Sequence, residues 1–364
     1  MDRKRWIQRT LDLQAVPAPT FEEHERAAAL RKEFEHAGGL ELHSDEVGNL
    51  LARVPGGAGP ALAVSAHLDS VFPRGTDLAS RRTAQRLHGP GIGDNAVALA
   101  ALVELALDFK QDPPPGDLWL VANVCEEGLG NLRGMRQVVA RLNGAVRAYL
   151  VLEGMALGQV YHRALPARRF RLSAEGPGGH SWIHAGRASA LHQLIRLGAE
   201  LADLPTSSEP KSTLNIGLMR GGHSVNSIAD QAYLEVDLRC ESEAGLQALA
   251  DQVAGLVARS AVDGVKFSLV PTGARPAGGL AADHPLVQAA VSALGRGSRR
   301  RARLAAGSTD ASVPLQQAYP AVCIGLTTGG EAHTVREYID IPPMEGGYRS
   351  LLNLIQAAFA MDGD

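Results

Sequence analysis

Histidine and carboxylate side chains recur through the 364-residue chain in short clusters, most of them directly after an apolar run that reads as a β-strand. His67 and Asp69, in Ala-His-Leu-Asp-Ser, follow the run Ala61 to Ala66. On an extended chain residues i and i+2 point the same way, so His67 can ligate a metal while Asp69 approaches the same place; a surface pair at a strand end is the alternative. Asp94 closes Gly-Pro-Gly-Ile-Gly-Asp-Asn where a helix opens. It either caps that helix or bridges metal ions. The glycines lack the GK[ST] and GxGxxG signatures of phosphate loops. Glu126 and Glu127 follow the run Leu118 to Val124. Adjacent carboxylates at the end of a buried strand are costly unless paired or bound to cations. One can ligate a metal while its neighbour takes a proton from water; otherwise they sit on a solvated loop. Glu153 ends the run Ala148 to Leu152, and His333 follows Ala321 to Leu326. Taken together, His67, Asp94, Glu127, Glu153 and His333 supply two imidazoles and three carboxylates, a donor set suited to zinc, cobalt or manganese. That count fits a site for two metal ions with one bridging carboxylate.

The elements that must position these residues follow from periodicity. Phe21 to His36 reads as an amphipathic helix and Asn95 to Phe109 as a buried one. Val47 to Val54 and Ala61 to Ala66 read as strands joined by the turn Pro-Gly-Gly-Ala-Gly-Pro. Strands alternating with helices predict an α/β fold with a mostly parallel sheet flanked by helices, and in such sheets ligands gather at the carboxyl ends of the strands. The middle of the chain differs. Arg169 to Ala174, Ser212 to Met219, Ala232 to Arg239 and Val265 to Val270 alternate, with helices Ser189 to Leu204 and Leu246 to Ala258 between them. The order strand, helix, strand, strand, helix, strand predicts an inserted ferredoxin-like α+β domain over 165–276. The first domain is then discontinuous, over 1–164 and 277–364, with helix Leu286 to Leu294 and strand Ala321 to Leu326 in its second piece.

Composition narrows the function. Hydrophobic residues form 45% and charged residues 21%, a globular profile. A net charge of −3 gives no footprint for nucleic acid. The run Arg296 to Arg303 reads as a solvated loop or helix end, with an anion or partner patch as the alternative. Three scattered cysteines, Cys125, Cys240 and Cys323, form neither a disulfide framework nor a thiolate zinc site. No apolar stretch suits a membrane span, and the basic N-terminus lacks a signal-peptide core, which sets a cytoplasmic enzyme as the expectation. The absence of GxSxG and HExxH disfavours a serine hydrolase and a thermolysin-like site.

In order along the chain, HLD (67–69), GPGIGDN (89–95), CEEG (125–128), LEG (152–154), GGHS (178–181), GSTDA (307–311) and GGEAHTVREYI (329–339) resemble the dinuclear-zinc exopeptidases and amidohydrolases. That family includes acetylornithine deacetylase, succinyl-diaminopimelate desuccinylase, carboxypeptidase G and peptidase T. The segment STDASVPLQQAYPAVCIGL is most similar to the peptidase T branch. The resemblance implies two divalent ions, zinc first, with cobalt or manganese as alternatives. His67 would bind one and His333 the other, with Asp94 bridging both and Glu127 and Glu153 each completing one ion's shell. Glu126 would be the general base and acid, and Asp69 would orient His67. The inserted domain would be a lid and dimerisation domain, giving a homodimer. Its His180 would polarise the scissile carbonyl, while Asn226 and Arg239 would bind substrate carboxylate or backbone. A turn role for Asn226 and a structural salt bridge for Arg239 are the alternatives. Thr309 and Asp310 lie on a loop expected near the site. The chain departs from the family where Asn95 replaces a second carboxylate, Ala96-Val97 replace Lys-Gly, and Ala229 replaces a proline. The expected activity is hydrolysis of a di- or tripeptide. An N-acyl amino acid deacylase is the alternative, and a non-catalytic binding protein the reading from another class.

Overall fold

The computed structural model describes residues 1–260 and 262–361. The chain divides into two compact units, Met1–Ala164 with Gly278–Asp364, and Leu165–Ala277.

The first unit is built on an eight-stranded sheet. Its spatial order is Glu41–Ser44, Leu50–Val54, Gly116–Asn123, Gly59–His67, Val146–Leu152, Ala321–Ile324, Gln159–Ala164 and Arg303–Gly307. The four central strands are parallel, and antiparallel pairs border them on both sides. The fold class expected from sequence is therefore observed, as a mainly parallel sheet rather than a purely parallel one. Helices cover both faces, which is why the central strands are apolar almost throughout. The helix Val97–Gln111 is buried from Val97 to Ala106, so its all-round apolar sequence marks a core helix rather than an amphipathic one.

Two local features depart from the sequence reading. A helix, Arg3–Gln14, precedes the first one expected. Asp2 caps it by accepting the Lys4 and Arg5 N–H groups, and Trp6, Ile7, Thr10, Leu13 and Gln14 form its buried stripe. Trp6 donates its indole N–H to the Val97 carbonyl at 3.0 Å. Secondly, the strands on either side of Pro-Gly-Gly-Ala-Gly-Pro are not neighbours, because Gly116–Asn123 lies between them. The connection crosses the start of that strand at close range. Cβ atoms added at Gly56 and Gly59 would lie 2.1 Å from the Gly116 carbonyl oxygen and 2.8 Å from that of Pro115. The glycines are there for that crossing.

The second unit follows the expected order of elements. Strands Ala167–Glu175, Ser212–Gly221, Gln231–Cys240 and Lys266–Arg275 form an antiparallel sheet. The first and third strands of this order lie in the middle, a ferredoxin-like arrangement. Helices Ala190–Ala202 and Glu243–Arg259 cover one face. The other face carries Arg169, Arg171, Tyr233, Glu235, Asp237 and Arg239, paired as Arg169–Asp237, Arg171–Glu235 and Arg239–Asp237. Among the described residues no helix is long and apolar enough to cross a membrane.

Back in the first unit, the end of strand Val146–Leu152 touches the loop before helix Val97–Gln111 backbone to backbone. A Cβ at Gly154 would lie 2.2 Å from the Gly93 carbonyl oxygen. Gly154→Ala should therefore destabilise the protein by about 1–3 kcal/mol. Denaturant unfolding tests this, and unchanged stability would contradict the close packing.

Candidate metal centre

His67 ends its strand and Asn123 ends the neighbouring one, paired in register. Beyond these ends the chain turns sharply. Cys125 takes a left-handed φ of 59°, which directs the next two amides inward. The Glu126 and Glu127 N–H groups both donate to the Asp69 carboxylate, at 3.0 and 2.8 Å. Thr20 adds its hydroxyl at 2.9 Å. Asp69 is fully buried and so fastens the loop after one strand to the loop after the next. Its expected role toward His67 is divided. The nearest acceptor to His67 Nδ1 is the Asp69 main-chain carbonyl at 3.0 Å, with the carboxylate at 3.5 Å.

Asp94 does not cap the helix. The helix starts from Ala96 without a side-chain cap, and Asp94 and Asn95 sit in a kinked turn before it. The Asp94 carboxylate instead lies between two imidazoles, 2.9 Å from His67 Nε2 and 3.1 Å from His333 Nε2. Glu127 is 3.2 Å from His333 Nε2, and Glu153 is 3.9 Å from His67 Nε2. All five candidate ligands thus converge. Donor atoms of His67, Asp94 and Glu127 lie within 4.8 Å of one another. Asn95 ties this cluster to Glu153 from both sides. Its Nδ2 donates to the Leu152 carbonyl at 2.8 Å, and its Oδ1 accepts the Gly154 N–H at 3.0 Å. An ionised carboxylate at position 95 has no proton for the first of these bonds, so the amide suits this site.

The electrostatics are those of crowded anions. Burial would raise the Asp94 carboxyl, but His333 and His67 hold it well below the usual range. Burial and the Asp94 charge push Glu127 up to about 7. Burial, only partly offset by His67, raises Glu153 well above the usual range. Burial opposes protonation of His67, yet Asp69 and Asp94 carry it well above the ordinary histidine range. Bonds to Asp94 and Glu127 raise His333 to about 10. Glu126 is buried, and its charge acts on Glu127, Glu153 and Asp310, which places it within the cluster. Hard oxygen donors and two imidazole nitrogens, among which divalent cations can take the place of the imidazole protons, form a donor set fit for such ions.

Several buried partners had no sequence signal of their own. Asp310, suggested only as a loop residue near the site, is buried and accepts the Asn123 amide at 2.7 Å. Burial and the Glu126 charge push it up to about 7. Glu23 accepts the Cys125 N–H at 3.0 Å, and the buried Arg26 donates to the Leu68 carbonyl at 2.8 Å and to Val16. Both lie on a charge-rich segment, where pattern does not separate a buried charge from an exposed one. Glu337 lies inside the GGEAHTVREYI motif, where nothing in the pattern marks it as buried. Burial and the Glu23 charge push the Cys125 thiol up to about 12, and burial and the Asp94 charge push Glu337 up to about 7. Cys125 is therefore a thiol and no nucleophile at neutral pH.

In the second unit, His180 and Asn226 come together. Gly179–His180 pairs with Ser227–Ile228, and the Ser181 N–H donates to the Asn226 carbonyl at 3.0 Å. His180 Nδ1 accepts the Trp182 N–H at 3.2 Å, which assigns the ring proton to Nε2. Arg239 is elsewhere. It lies at the opposite end of strand Gln231–Cys240, roughly 26 Å along the sheet at ~3.3 Å per residue, and donates to Asp237 at 2.7 Å. The salt-bridge alternative describes its observed contact.

Residues 63–357 match the model of the peptidase family M20/M25/M40. The chain belongs to this family. The ordered motifs point to the same family. A probable carboxypeptidase of Arthroderma benhamiae is 26% identical over 231 residues, 57% of this chain and 49% of that protein, so the chain spans about half the length of that relative. A tripeptidase structure from Staphylococcus aureus superposes with a TM-score of 0.79 at 19% identity, covering 99% of this chain and 100% of that one. A dinuclear metal-binding peptidase from Bacillus subtilis gives 0.65 at 19% identity, covering 97% of each chain. These two likenesses concern the fold.

The charge pattern sets a pH dependence for the metal-free protein. Glu127, Glu153 and Asp310 are raised above the unfolded carboxyl value near 4.3, and His67 and His333 above about 6.5. Across neutral pH the folded state therefore binds more protons than the unfolded state, and stability falls as pH rises. Thermal unfolding with a chelator should give a lower Tm at about pH 8 than at about pH 6, and added divalent metal should reverse the loss. A metal-free Tm that climbs over that interval would contradict these assignments.

Proposed function

We propose that the protein is a metal-dependent hydrolase that cleaves an amide bond in a short peptide, as a di- or tripeptide exopeptidase. The observation that carries this reading is the convergence of His67, Asp94 and Glu127, with Glu126 beside them, in a chain of this family. His67 and Glu153 would hold one divalent ion, Glu127 and His333 the other, and Asp94 would bridge them. Zinc is the first choice, and cobalt or manganese suits the same donors. Such ions supply acidified water and polarisation of the scissile carbonyl. Glu126 takes the proton from the attacking water and hands it to the leaving amine nitrogen. Asp69 holds the Glu126 amide and so fixes where that carboxyl stands. His180, with its proton on Nε2, is the proposed donor to the substrate carbonyl oxygen, and Asn226 and Arg239 are proposed to bind substrate carboxylate or backbone.

The tripeptidase and carboxypeptidase names of similar proteins favour peptides. An N-acyl amino acid deacylase would use the same residues and is the second reading. A binding protein without turnover would leave Glu126 with no task. We read the first unit as catalytic and the second as a lid and dimerisation domain of a cytoplasmic homodimer. Supporting the dimer are Trp182, Ile183 and Val225, exposed at 85%, 71% and 104% beside the His180 loop. Light scattering should give twice the chain mass, reduced to one chain mass in Trp182→Ser.

Glu126→Gln should lower turnover by about 10²–10⁴-fold while metal content stays at the wild-type level. Mass spectrometry of a panel of short peptides and N-acyl amino acids, with and without restored metal, reads the activity. Wild-type turnover by this variant would remove the base from Glu126, and cleavage confined to N-acyl amino acids would favour the deacylase.

A further inference from the structure

The loop that delivers Asp94 satisfies only some of its own amides, with Ile92 N–H on the Gly89 carbonyl and Ala96 N–H on that of Gly91. Gly91 is left-handed, with φ 73°, and Asp94 and Asn95 leave helical geometry, so the remaining donors of this turn need an outside acceptor. One residue provides it. The carboxylate of Glu337, fully buried, accepts Gly91 N–H at 3.1 Å, Gly93 N–H at 2.7 Å and Asp94 N–H at 2.9 Å. The Glu337 main-chain carbonyl accepts Gly89 N–H at 3.0 Å. Four amides of one loop thus end on a residue four positions after His333.

The Glu337 backbone is itself fixed. Its own N–H donates to the Thr334 carbonyl at 3.1 Å, which closes a turn immediately after His333. The strand Tyr338–Asp340 that follows pairs with Arg86–His88, the segment that leads into Gly89. Asp94 and His333 are 239 residues apart in sequence yet 3.1 Å apart in space. Glu337 is bonded to the main chain of the first and rides on the turn of the second.

We propose that Glu337 is a positioning residue for the metal centre, setting the separation of Asp94 and His333 and through it the placement of the two ions. The proposal rests on the metal-hydrolase reading above. The hydrogen bonds described for the Glu337 carboxylate run to main-chain amides and not to the donor side chains. Glu337 acts by holding the Asp94 main chain against the His333 turn.

The test uses Co²⁺ as the probe, with full-length protein stripped by a chelator. Elemental analysis gives the ions bound per chain, titration gives their affinity, and visible absorption of bound Co²⁺ reports their coordination. Wild-type protein should bind two ions; if it binds none, the functional reading itself falls, and this proposal with it. Glu337→Gln keeps the size of the side chain but replaces one acceptor oxygen by an NH₂ that faces the loop donors. It should fold with a near wild-type Tm, bind Co²⁺ about 10–100-fold more weakly and show an altered absorption spectrum. Glu337→Asp keeps both acceptor oxygens on a shorter arm and should fall between wild type and Glu337→Gln. Wild-type Co²⁺ affinity and spectrum in Glu337→Gln, with the wild-type protein binding both ions, would overturn the proposal alone. Failure of both variants to fold would also overturn it, making Glu337 a residue of the fold and not of the centre.

Discussion

Mutual repulsion among buried carboxylates is the constraint around which the first unit is organised. Asp69, Asp94, Glu126, Glu127, Glu153 and Asp310 gather at the ends of neighbouring strands. Two unit charges about 4 Å apart at an effective dielectric of about 20 interact by about 4 kcal/mol. Total stabilities are about 5–15 kcal/mol, so a few such repulsions left uncompensated would be comparable to the whole. The structure answers with protons on imidazoles, with backbone N–H groups aimed at the anions, and with donor atoms aimed at one another where cations fit. The same repulsion that endangers the fold is what a divalent cation placed among these donors would relieve.

Backbone amides perform most of the positioning. Asp69 gathers the amides of the Cys125–Glu127 turn, Glu337 those of the Gly91–Asp94 loop, and Asn95 spans the chain on both sides of Glu153. Each fastens a loop that follows one element to a loop that follows another. The sheet brings the strand ends to within a few ångströms, and these buried polar side chains set the final placement. That division lets candidate ligands sit on loops while buried hydrogen bonds fix their backbone.

The second unit solves a different problem. Its sheet buries one face under two helices and leaves the other to an ion-paired ladder of Arg169, Asp237, Arg239, Arg171 and Glu235. Alternation of period two is the direct imprint of that arrangement. The candidate residues His180 and Asn226 meet at one end, beside the two-residue ladder of Gly179–His180 with Ser227–Ile228. Arg239 belongs to the polar ladder at the other end, its guanidinium engaged by Asp237.

Residue type, order and periodicity alone determined the fold class, the inserted α+β unit and the set of side chains that converge. Hydrophobic periodicity reports burial of faces, and histidines and carboxylates after strands report where a parallel sheet can gather ligands. The tertiary structure decided what sequence left open. Asp94 as a helix cap or as a metal-bridging carboxylate, and Arg239 as a substrate ligand or a salt bridge, were both open in the sequence because both outcomes use the same residue at the same position. The helix Arg3–Gln14, the crossing at Gly56–Gly59, and the burial of Glu23, Arg26, Asp310 and Glu337 became visible only in space. A buried charge and an exposed one are the same letter. What distinguishes them is a hydrogen-bond partner that is often scores or hundreds of residues away, and that pairing exists only once the chain has folded.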